Sequence, residues 1–116
     1  MTANKGDRSG IGQVMEELFS VLVERKQSMK DESYTALLYK KGEDTILKKV
    51  GEEAGELIIA SKGGEREKII HEIVDLWFHC MVLMGFKGLT FDEIADEFRY
   101  RMGTSGLEEK ASRKKD

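Results

Sequence analysis

The sequence predicts an all-α fold, with four main helices plus a short one and a helical-bundle core completed by homodimerisation. Three observations predict it. Proline is absent from all 116 residues, and apolar residues recur at three- and four-residue steps through long segments. Hydrophobic residues make up 40% of the chain and charged residues 35%, a balance that suits packed amphipathic helices better than a disordered chain. A domain this small buries a limited core unless it pairs with another copy, so association is expected.

Ile11, Val14, Met15, Leu18, Phe19 and Leu22 form one buried stripe of a first helix. Tyr34, Leu37 and Leu38 predict a short helical segment before Gly42. Ile46, Leu47, Val50, Ala54, Leu57 and Ile58 extend a second long helix, which Gly63 and Gly64 should stop. A third is expected over residues 65–84. There Ile69, Ile70, Ile73, Val74, Leu76, Trp77, Phe78, Met81, Val82 and Leu83 occupy nearly every side, so the helix needs cover all round, with a partner subunit as the natural source. Thr90 and Glu93 make a capping box for the last helix, whose Phe91, Ile94, Ala95 and Phe98 form a narrower stripe. The expected organisation is one domain over residues 11–102, between a polar N-terminal extension, 1–10, and a polar, frayed tail, 103–116.

The net charge of −3 argues against a nucleic-acid partner. No apolar run is expected to span a bilayer, and the first ten residues lack a signal-peptide apolar region, so the expected location is cytoplasmic, without a membrane partner. Cys80 is the sole cysteine and lies in an apolar run, where a reduced thiol is the ordinary outcome.

Against this background the acids stand out. In "KKVGEEAGELIIA", Glu53 and Glu56 share a helical face, and Glu52 pairs with Glu56 at i, i+4. In "HEIVDLWFHCMVLM", Glu72 and Asp75 repeat the three-residue step inside an apolar helix, where unpaired acids are costly. An antiparallel hairpin of the two helices directs these carboxylates at one volume. Their repulsion demands raised pKa values or bound cations, and hard oxygen ligands favour Mg²⁺ or Mn²⁺ over zinc. Charged faces are common, however, and Lys48, Lys49, Lys62, Arg66 or Lys68 could instead neutralise the acids as ordinary helix ion pairs.

The spacing E-E-x-x-E, then fifteen residues, then E-x-x-D resembles the all-α nucleoside triphosphate pyrophosphohydrolases related to MazG. The fuller strings "SYTALLYKKGEDTILKKVGEEAGELIIASK", "HEIVDLWFHCMVLM" and "GLTFDEI" resemble the phosphoribosyl-ATP pyrophosphohydrolase family of histidine biosynthesis, in its stand-alone form. The resemblance implies Mg²⁺-dependent hydrolysis of 1-(5-phosphoribosyl)-ATP at the α,β-phosphoanhydride by a homodimer. It makes Glu53, Glu56, Glu72 and Asp75 the expected metal ligands. Glu52 either completes that set or accepts a proton from the attacking water, and Lys49, on the same face, is the expected contact for a phosphate oxygen. A pyrophosphohydrolase acting on another nucleotide and a non-catalytic helical dimer are the competing readings.

Several other residues carry open expectations. His79, one turn beyond Asp75, either orients it or is a hydrogen-bonded core residue, and the second is preferred. Trp77 and Phe78 are expected to fill the core. The hydroxyls of Ser33, Tyr34 and Thr35 cap the following helix or contact substrate. Arg99 and Arg101 reach phosphates or suit a helix C-terminus.

Overall fold

The computed structural model describes residues 10–28, 32–103 and, beyond these, 106, 110, 111 and 113. The N-terminal extension up to residue 9 and most of the tail therefore lie outside the described residues; the four described beyond 103 are helical. Five helices follow in order: α1 (Ile11–Gln27), α2 (Tyr34–Lys41), α3 (Glu43–Gly63), α4 (Arg66–Lys87) and α5 (Phe91–Met102). Among the described residues there is no strand, so the protein is all-α.

Local chemistry sets the ends of these helices. Ser33 caps α2 by accepting from the Ala36 amide at 3.1 Å, the ordinary service of a serine hydroxyl at an N-cap. Thr90 and Glu93 form the expected capping box, at 3.2 Å and 2.9 Å. Gly64 ends α3 in the left-handed region at φ 81°, where a side chain is disfavoured. Gly42, at φ 94°, is at once the last boundary of α2 and the first of α3.

α3 and α4 pack as an antiparallel hairpin, tied at one end by Lys87 of α4 to Glu43 of α3 at 2.8 Å. α1 and α2 lie over that end, and Leu22, Leu38, Ile46, Met81, Val82 and Met84 meet in the core. α5 joins at the side through Phe91, whose ring meets Phe19 of α1 edge-on at 5.1 Å, a favoured aromatic geometry. Lys26 adds a bond from α1 to the Gly85 carbonyl of α4 at 2.8 Å.

α4 departs from expectation in three ways. It runs past Met84 to Lys87, with Gly85 inside the helix, where a Cβ would collide with the Tyr39 hydroxyl. By length and composition alone it could cross a membrane, with mean hydropathy 1.5 over its most apolar window, so the expectation that no run approaches a spanning length is corrected. It instead packs against α1, α2 and α3, with Ile70, Val74 and Trp77 left exposed. Finally, Trp77 does not fill the core of its own chain: it is 46% exposed, on the same helical face as the exposed Ile70 and Val74. Phe78, by contrast, packs against the core as expected.

Candidate metal centre

The hairpin brings the predicted acids together near its middle. One carboxylate oxygen each from Glu53 and Glu56 of α3 and from Glu72 of α4 lie within 4.8 Å of one another. Glu53 is the deepest, only 5% exposed. Its position follows from the helical repeat: Ile46 lies two turns earlier on the same inward face, and that face carries Glu53 under α4. Oε1 of Glu53 and Oε1 of Glu72 are both buried and without a hydrogen-bond partner among the described residues.

Asp75 stands beside this group, sharing Glu72 as neighbour: oxygens of Glu72 and Asp75 and a nitrogen of His71 also fall within 4.8 Å of one another. The His71 Nε2 lies 3.3 Å from Asp75 Oδ2. On the flank, the Lys49 ammonium lies 3.3 Å from Glu52 and 3.8 Å from Glu53. Glu52 itself is exposed and stands outside both close groups. Four of the five predicted acids thus converge, and the fifth sits with Lys49 at the rim.

The electrostatics follow from this placement. Burial pushes the Glu53 carboxyl above its ordinary 4.5, the Glu56 and Asp75 charges push the same way, and Lys49 and His79 only partly oppose them. Lys49 is held more firmly protonated by its bond to Glu52, with smaller help from Tyr34. Lysine neutralisation reaches only part of the cluster. Lys49 meets Glu53, but among the described residues no ion pair reaches Glu56 or Glu72, and Lys68 pairs with Glu65 at 3.4 Å. Two orphaned buried oxygens within a set of hard carboxylate donors fit a divalent cation such as Mg²⁺ or Mn²⁺.

Two residues were missed as members of the site. Lys68 joins Glu56, Ile59, Ala60 and Glu72 around an adjoining hollow of about 220 Å³. Its place four residues before Glu72 was a signal read only as a possible ion pair. His71 stands in the same relation to Asp75, and its imidazole was not considered. The remaining candidates resolve plainly. His79 is a hydrogen-bonded core residue that meets the backbone carbonyl of Asp75 at 2.7 Å, not its carboxylate. Thr35 is buried, and Arg99 and Arg101 pair with Asp96 and Glu97 on the exposed surface of α5, both at 2.8 Å.

Comparison with known proteins agrees with the strings that first suggested a family. Residues 15–102 match the family described as phosphoribosyl-ATP pyrophosphohydrolase. A phosphoribosyl-ATP pyrophosphatase of Methylococcus capsulatus is 55% identical over 101 residues, covering 87% of this chain and 96% of the relative. Another, of Geobacter metallireducens, is 52% identical over 103 residues, covering 89% and 94%. With a match across nearly the whole helical domain and relatives this similar end to end, the chain belongs to the phosphoribosyl-ATP pyrophosphohydrolase family.

Proposed function

We propose that this protein hydrolyses 1-(5-phosphoribosyl)-ATP to 1-(5-phosphoribosyl)-AMP and pyrophosphate, as a cytoplasmic homodimer using Mg²⁺, with Mn²⁺ as a substitute. The observation that carries the chemistry is the buried Glu53 carboxylate, unpaired at Oε1 and set among Glu56, Glu72 and Asp75. The substrate follows from family membership and from the activity that the relatives' names state.

Glu53, Glu56, Glu72 and Asp75 would hold the cation. When bound, it supplies charge neutralisation for the leaving pyrophosphate and makes a nearby water more acidic. Lys49 and Lys68 flank the acids from opposite helices and offer ammonium donors to phosphate oxygens. Glu52, exposed beside Lys49, would accept a proton from the attacking water.

The assembly reading is supported by Ile70, Val74 and Trp77, which recur on one exposed face of α4. Ile58 and Ile59 of α3 add exposed apolar surface on the same half of the hairpin. Sedimentation of the full chain at micromolar concentration should give a dimer, and Val74→Glu should shift it toward monomer. A folded wild-type monomer would reject the assembly.

Pyrophosphate release measured side by side on phosphoribosyl-ATP, ATP and dCTP, with and without Mg²⁺, tests the activity. Release from phosphoribosyl-ATP alone, and only with the cation, is expected. Equal release from all three would point to a broader nucleotide pyrophosphohydrolase, and none from any would leave the non-catalytic dimer.

A further inference from the structure

Asp75 is linked to the start of α2 through one buried ring. The His79 Nδ1 lies 2.7 Å from the Asp75 carbonyl oxygen, and the His79 Nε2 lies 2.9 Å from the Tyr34 hydroxyl. A carbonyl can only accept, so Nδ1 carries the ring proton. In the neutral ring Nε2 is then an acceptor, and the Tyr34 hydroxyl donates to it. With the ring neutral, the chain of donors runs in one direction, from Tyr34 to His79 to Asp75.

The ring has little freedom. His79 is 5% exposed, and the rings of Tyr34 and Phe78 meet it edge-on at 5.7 Å and 5.3 Å. The bond from Nδ1 grips the turn of α4 that carries Asp75. Fixing that turn matters because the neighbouring carboxylates repel it: Asp75 and Glu56 both raise the energy of charged Glu53. A hinge-like relaxation of α4 would relieve the repulsion and spread the ligands that a cation needs close together.

We propose that Tyr34 and His79 are positioning residues of the metal centre: the Tyr34 hydroxyl fixes the His79 ring, and the ring holds the Asp75 turn at the spacing that gives the site its cation affinity. This rests on the proposed metal-binding role of the four acids. Tyr34 acts through His79 and contributes no ligand atom, so its removal weakens cation binding without emptying the site.

Mg²⁺ titrations of the metal-free full chain, followed by calorimetry and by melting temperature, test the assignment. Tyr34→Phe keeps the aromatic ring and removes only the hydroxyl. It should weaken Mg²⁺ binding about ten-fold, the scale found when partners behind a ligand are lost. His79→Asn keeps a nitrogen able to reach the Asp75 carbonyl but none able to reach Tyr34. In that background, Tyr34→Phe should cost nothing further, because the two act as one unit. A Tyr34→Phe affinity within about two-fold of wild type, whatever its melting temperature, overturns the proposal, since a merely structural tyrosine changes stability alone. An undiminished Tyr34→Phe effect in the His79→Asn background also overturns it, because Tyr34 would then act by another route. A wild type without any Mg²⁺ response would sink the metal-binding role and this proposal together, whereas a wild-type response unchanged in Tyr34→Phe sinks this one alone.

Discussion

The two halves of the α3–α4 hairpin are built to different ends. Where α3 begins and α4 finishes, Ile46 and Val82 are fully buried beneath Leu22 and Leu38, and the Lys87–Glu43 pair closes the end. Where α3 finishes and α4 begins, Ile59 is 73% exposed and Val74 57%, left uncovered by the described residues. Both halves come from equally apolar sequence. The difference lies in what covers them, and the acids sit at the boundary: Glu53 is buried by the covered half, while Glu56 opens toward the other. Apolar packing thus holds the carboxylates in place from one side and leaves an approach from the other.

Breaking the boundary itself should have the largest effect. Asp75→Asn removes ligand charge while nearly keeping shape, and should cut pyrophosphate release by orders of magnitude. The fold should survive, and added Mg²⁺ should raise the melting temperature of the wild type more than that of the variant, because a ligand of the folded state stabilises in proportion to its occupancy. Equal Mg²⁺ responses and unchanged turnover would remove Asp75 from the site.

The contrast between the halves is sharpened by matched truncations. Ile46→Ala empties a fully buried position and should cost about 2–5 kcal/mol in denaturant unfolding. Ile59→Ala trims a side chain exposed within the chain and should change the stability of dilute, dissociated protein by less than about 0.5 kcal/mol. Similar losses at the two positions under those conditions would mean that the halves are equally covered.

A smaller effect reports the boundary through pH. The folded protein holds a proton on Glu53 more tightly than the unfolded chain does, since burial and neighbouring charge raise its pKa above 4.5. Its contribution is therefore favourable at lower pH and is lost as pH rises through the folded value. Metal-free Glu53→Gln and wild type should melt alike below pH 4.5, and the variant should become the more stable as pH rises through the folded value. Melting curves across pH check this, and a gap that closes with rising pH would give the wrong sign.

Much of this was legible in the sequence because helices carry their period openly. The stripes located all five helices, and Thr90 with Glu93 marked a cap that the structure contains. The converging acids were legible for the same reason: a three-residue step on each of two adjacent helices places both pairs on inner faces. What periodicity does not state is which apolar face the chain covers by itself. Trp77 was therefore expected in the core and is half exposed. Nor does it state how two helices are staggered, which is what brings Lys68 to Glu56 across the hairpin. The end of α4 was expected near Met84, yet the helix runs on through Gly85, whose lack of a side chain answers to the approach of Tyr39 from a distant segment.

The single residue between α2 and α3 has a further consequence. Gly42 is the whole connection, so the two helices share one joint with no slack. One inserted residue at a helix boundary turns what lies beyond it by about 100° and shifts it by about 1.5 Å. Tyr34, at the far end of α2, would swing away from His79 while the acids of α3 and α4 kept their mutual spacing. Chain length at this joint is therefore a quantity as specific as any side chain: a variant could retain every named residue and still lose their alignment by having one residue too many.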